Sequence, residues 1–90
     1  MSYEFEPAQR VMKSHVWHGK QCYFISTINR QDSTAYAFWF SETMAWEWDW
    51  DTNKRGKCVA ETSGATDSIT KHILVCEALR KDGKYTEDEV

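Results

Sequence analysis

The 90-residue chain has one proline, four glycines and no Cys-x-x-Cys pair. So little proline and glycine excludes a linker or a low-complexity chain. No window approaches the roughly 18 consecutive apolar residues that a membrane-spanning helix needs, so no membrane partner is expected. The opening MSYEFEPAQR carries Glu4 and Glu6 and no apolar core, and does not read as a secretory leader. An excess of basic charge is also missing, with 11 Lys and Arg against 14 Asp and Glu. From Asp82 onward there are four acids and one lysine, which leaves ten of each sign in residues 1–81. A body so balanced lacks the cationic face that follows a phosphate backbone, so duplex nucleic acid is not an expected partner. Three cysteines, Cys22, Cys58 and Cys76, cannot all pair with one another. Without an export signal they are expected as reduced thiols in a cytoplasm, which is the host cytoplasm if the chain is phage-encoded.

What the chain has in abundance is aromatic side chains: five Trp, four Tyr and four Phe in 10.6 kDa. One small domain, residues 1–81, accounts for this length, followed by an acidic tail over 82–90 that is expected to be disordered. A chain of this size buries only about 60–65% of its unfolded surface, so its core is thin.

Local patterns give the element order. Tyr3 and Phe5 alternate as in a short strand, and residues 8–13 suit one helical turn. His15 to His18, then Gly19-Lys20, then the β-rich run QCYFISTIN, read as a hairpin in which Gly19 supplies the positive φ of a tight turn. RQDST at 30–34 reads as a polar loop. In AYAFWFSETMAWEWDWD the even positions are Tyr36, Phe38, Phe40, Glu42, Met44, Trp46, Trp48 and Trp50, while the odd positions are mostly small or charged. Period two over this length predicts one long half-buried strand over residues 35–50. DTNKRG at 51–56 reads as a turn, residues 57–62 as a short last strand, and Ser63-Gly64-Ala65 as its end.

Thr66 or Asp67 then suits the cap of a helix running to about Lys81. Ile69, His72, Ile73, Cys76 and Leu79 recur at spacings of three and four and form its apolar stripe. Gly83 suits the left-handed position after the helix. The expected fold is α+β, an antiparallel meander of three or four strands packed on one C-terminal α-helix, with the helix on the aromatic face.

Trp46, Trp48 and Trp50 share one strand face about 7 Å apart. They read either as core or as a binding platform. A strand from 36 to 50 spans roughly 50 Å and a 15-residue helix roughly 22 Å, so the helix cannot cover the whole row. Exposed aromatic surface marks interfaces. Trp46, Trp48 and Trp50, with Trp39, Glu47 and Asp49, are therefore the candidate interface residues. Glu47, Asp49 and Asp51 form an acidic row opposite the tryptophans, with Glu61 as a candidate neighbour.

Two local pairings, His15-x-x-His18 before Cys22 and His72-x-x-x-Cys76, offer zinc-type donors without a zinc-type spacing, so no metal or other cofactor is expected. Cys22 with His72, or Cys58 with His18, would pair a thiol with a base, but nothing local supplies an orienting group or an oxyanion hole. No catalytic residue is expected. These features point to a small intracellular, non-enzymatic protein-interaction module that binds a protein partner or its own copy as a homodimer. By analogy of size and composition alone, it fits a phage or mobile-element accessory protein that inhibits a host protein. An aromatic platform for carbohydrate or single-stranded nucleic acid is the alternative, and a small zinc protein is a second.

Overall fold

The computed structural model describes residues 9–31, 39–64 and 68–86. Four strands, β1 (Gln9–His18), β2 (Gln21–Gln31), β3 (Trp39–Asp49) and β4 (Lys54–Gly64), precede one helix, α1 (Ser68–Asp82). The strands pair antiparallel in the order β1-β2-β3-β4, and α1 packs against β1, β2 and β3. The α+β meander with one C-terminal helix is therefore the fold. No helix among the described residues is long and apolar enough to cross a membrane.

Several boundaries differ from the sequence expectation. Residues 9–13 belong to β1 rather than to a helical turn, and they carry a bulge between Arg10 and Met12. Arg30 and Gln31 extend β2. The β3–β4 turn is shorter than 51–56, because Asn53 takes a left-handed φ of 57° and lets β4 begin at Lys54. Asparagine tolerates that conformation better than most side chains. β4 also runs on through Ser63 and Gly64. Tyr3, Phe5, Tyr36, Phe38 and the candidate caps Thr66 and Asp67 lie outside the described residues.

The main correction concerns which face the helix covers. Residues directly opposite one another share a face. One set of rows runs Met12–Thr27–Thr43–Thr62 and Ser14–Ile25–Ala45–Ala60, and the tryptophans of β3 fall on the other side. α1 lies on the first side, over small residues, and not on the aromatic one. Its buried stripe is His72, Val75 and Leu79 with Cys76 beside them, and these close the core with Tyr23, Ile25, Ala45 and Ala60. Ile69 and Ile73, expected on the helix's apolar stripe, are 52% and 49% exposed, and Leu74 beside them is equally open.

A chain of polar contacts explains the rotation of the helix. His72 is fully buried, with Nε2 2.8 Å from Ser14 Oγ and Nδ1 2.9 Å from Thr27 Oγ1. Thr27 Oγ1 lies in turn 2.7 Å from Thr43 Oγ1. Each hydroxyl both donates and accepts, so either imidazole tautomer satisfies the chain. An aliphatic sheet face would leave the two ring nitrogens unpaired, at about 1–3 kcal/mol for each orphaned group. The rotation that brings His72 to Ser14 and Thr27 carries Ile69 and Ile73 outward.

The far end of α1 is held by the β1–β2 hairpin. Gly83, at φ 70°, donates its N–H to Leu79 O at 2.9 Å, the left-handed close of a helix. His18 Nδ1–H donates to Arg80 O, and Tyr23 Oη–H donates to Gly83 O. A Cβ at position 83 would stand 2.8 Å from the His18 ring, so glycine is required there for space as well as for φ. Tyr85, in the segment set apart as a tail, packs on the core cluster.

Two outcomes check this packing. Leu79→Ala is expected to cost about 2–5 kcal/mol in urea unfolding, whereas Ile73→Ala stays within about 0.5 kcal/mol. The second outcome concerns pH. Burial pushes the His72 ring below its ordinary value of 6.5, so the unfolded chain takes up a proton at a higher pH than the folded one. The stability due to the neutral ring is complete above that value and is lost as pH falls below it. The unfolding midpoint should therefore decline from about pH 7 to pH 5, with a weaker slope in His72→Gln.

Candidate functional site: the helix-free aromatic face

The face away from α1 is built from three rows that cross the whole sheet. They are Lys13–Ser26–Met44–Glu61, His15–Phe24–Trp46–Cys58 and Trp17–Cys22–Trp48–Arg55. The two rows nearest the hairpin turns hold interlocked rings. Phe24 stacks on Trp46 at 6.0 Å and meets Trp48 at 5.2 Å. His15 touches Phe24, Trp48 and Trp50 at centroid distances of 5.0, 5.3 and 5.4 Å. Trp50, in the turn beyond β3, meets Trp17 at 5.6 Å. Arg55 closes the array from β4, its guanidinium 4.7 Å from the Trp46 ring. Such a cation–π contact contributes about 0.5–1 kcal/mol when exposed.

These rings are not a core. Trp17 and Trp50 remain 45% and 54% exposed, and Phe24, Met44, Trp46 and Trp48 are half-buried. The small side chains of Cys22 and Ser26 form the buried floor between them. The indole N–H of Trp48 is shielded from solvent with no acceptor among the described residues. An orphaned donor of that kind costs about 1–3 kcal/mol. At the turn end, an open groove of about 680 Å³ is lined by Trp17, Trp48, Trp50, Lys20, Arg55 and Glu47, among others.

The candidate interface residues are divided by this geometry. Trp46, Trp48 and Trp50 stand together on the aromatic side. Glu47 pairs with Tyr23 and faces the helix side, half-buried. Asp49 shapes the turn, its Oδ1 accepting from the N–H of Asp51 at 3.0 Å and of Thr52 at 3.3 Å. Hydrogen bonds from Thr52 first, then from Asp51, hold its carboxyl below the usual range. Trp39 opens β3 opposite Gln31, and its side chain lies outside the described part. Glu61 does not join Glu47 and Asp49. Glu61 pairs with Met44 on the aromatic side.

Sequence reasoning missed His15, Trp17, Phe24 and Arg55. His15 and Trp17 alternate in phase with Phe24 across the two-residue turn at Gly19-Lys20, a signal that was present. The pairing of β4 with β3 that sets Arg55 opposite Trp48 and beside Trp46 left no such mark.

The thiols and imidazoles are dispersed. Cys22 and Cys58 belong to the aromatic side, whereas His18 and His72 are engaged on the helix side, so neither thiol–base pair forms. Burial pushes the thiols of Cys22 and Cys76 up, away from the reactive thiolate. No group of three or more His, Cys, Asp or Glu that could hold a metal ion occurs among the described residues. No protein-family model, curated protein or solved structure matches the chain.

The contribution of Arg55 can be measured. Arg55→Gln is expected to lower the unfolding free energy by about 0.5–1 kcal/mol. Lys57→Gln, an exposed cation on the same strand, should leave it unchanged.

Proposed function

We propose that this chain is a small non-enzymatic binding module that docks a protein on the helix-free face of its sheet. One observation carries the reading: the tryptophans of β1 and β3 and Phe24 lie on the side that α1 leaves uncovered, while the helix rests on Ile25, Tyr23 and the small Thr, Ser and Ala side chains around them. A chain this small has few large residues with which to stabilise itself. Placing His15, Trp17, Phe24, Trp46, Trp48 and Trp50 away from the helix lowers what they contribute to the isolated fold and makes them available as anchors. Aromatic side chains and arginine dominate the energetics of protein interfaces, and Arg55 completes that set. The free thiols of Cys22, Cys58 and Cys76 support a reducing, cytoplasmic setting.

A stacking platform for single-stranded nucleic acid or carbohydrate is the second reading. It is favoured by the cations Lys20, Lys54 and Arg55 beside Trp17 and Trp50 in the groove. Asp49 and Asp51 line the same groove and oppose a polyanion.

The test uses the exposed rings, which are least needed for folding. Trp17→Ala with Trp50→Ala is expected to abolish association with protein, this chain's own copy included, while the far-ultraviolet circular dichroism stays that of the wild type. Wild-type tryptophan emission is expected to be unmoved by oligothymidylate or by oligosaccharide panels. A saturable emission shift with either ligand, and no protein association, would transfer the face to the second reading.

A further inference from the structure

The occupant of the aromatic face follows from the order of residues along its rows. Read from β1 to β4, Lys13 and Glu61 stand at opposite ends of one row, with Ser26 and Met44 between them. In the row nearest the turns, Trp17 and Arg55 stand at the ends, with Cys22 and Trp48 between them. These two rows thus set a small residue beside a large one at their centre, and one carries opposite charges at its ends.

Consider a two-fold axis between two such sheets, running along the strands midway between β2 and β3. It lays β1 of one copy over β4 of the other, and β2 over β3. Lys13 then meets the second copy's Glu61, Trp17 its Arg55, Ser26 its Met44, Cys22 its Trp48 and Phe24 its Trp46, each pair formed twice. Charge meets opposite charge in the first row and cation meets ring in the row nearest the turns, large meets small at the centre of both, and ring meets ring at the centre of the row between them. An axis across the strands instead would set Cys22 over Ser26 and Trp48 over Met44, leaving a gap on one side and a clash on the other.

The area is also adequate. Four strands about 4.8 Å apart and about ten residues long offer a flat footprint of roughly 600 Å². Side-chain relief raises this toward the roughly 800 Å² per partner of a standard interface. Sheets packed face to face in this way keep their strands aligned to within about 30°, which leaves facing rows within reach of a lysine stem.

Resting on the reading of this face as a docking surface, we infer that its occupant is a second copy of this chain. The two copies pack sheet on sheet with the helices outside, in a closed two-fold dimer.

Lys13 and Glu61 are both exposed in the single chain, so reversing them tests the interface without touching the fold. Sedimentation equilibrium should give a dimer for the wild-type chain at about 100 µM. Lys13→Glu and Glu61→Lys should each weaken it about 10- to 100-fold, by turning two facing attractions into repulsions. Both changes together should restore wild-type affinity. Rescue of Glu61→Lys by Arg55→Glu instead of Lys13→Glu would overturn this arrangement in favour of the axis across the strands. A wild-type monomer at that concentration overturns the dimer. The docking reading survives that result if Trp17→Ala with Trp50→Ala still abolishes binding of another protein. A dimer indifferent to all of these changes and broken by Ile73→Glu on the outer helix face overturns both.

Discussion

The hydrogen bonds from His72 to Ser14 and Thr27 determine which way α1 faces, and most of the molecule follows from that orientation. A buried imidazole with both nitrogens paired fixes the helix about its own axis more tightly than a slippery aliphatic contact does. With His72 inward, Val75 and Leu79 reach Ile25 and Tyr23, while Ile69, Ile73 and Leu74 face solvent. Ser14, Thr27 and Thr43 are distributed over three adjacent strands, so one side chain of the helix ties together most of the sheet. The same bonds commit the helix to the face of Ile25, Tyr23 and the small polar residues, and α1 does not cover the aromatic face.

The alternation from Phe40 to Trp48 made β3 legible, and the three-and-four spacing after Ile69 made α1 legible. The pairing of the two was not. On hydrophobicity alone, a helix with Ile69 and Ile73 on its stripe belongs on Trp46 and Met44. The alternative stripe through Val75 differs by less than one turn and shares His72, Cys76 and Leu79. In the stripe the structure buries, the histidine common to both is met by hydroxyls that the meander brings together. Ser14 and His72 are 58 positions apart, and no local pattern records their meeting. The site had a similar fate. Trp46 and Trp48 were evident from their own strand, but His15, Phe24 and Arg55 joined them through pairing and bulges.

The aromatic face differs from a misplaced core in how it is organised. Its rings are interlocked at 5 to 6 Å and braced by Arg55, with small residues as the floor, so the surface is rigid before anything binds. Preorganised rings lose little conformational freedom on association, which is where aromatic interfaces gain over flexible ones. The solvent-shielded Trp48 N–H has no acceptor among the described residues, a cost that this packing carries.

The strand order has a consequence for how the chain reaches this state. In β1-β2-β3-β4 every strand pairs with its neighbour in sequence, so the sheet can zip up from either hairpin at low loop-closure cost. Docking of α1 on β1 must instead close a loop that spans most of the chain. Assembly of the sheet thus precedes arrival of the helix, and during that interval both faces are bare. The face that α1 eventually covers sets Ile25 and Tyr23 among Ser, Thr and Ala, a surface less apolar than the aromatic one. The other presents its rings from the moment the strands pair, and exposed aromatic surface of that kind is what makes a folding chain prone to clumping.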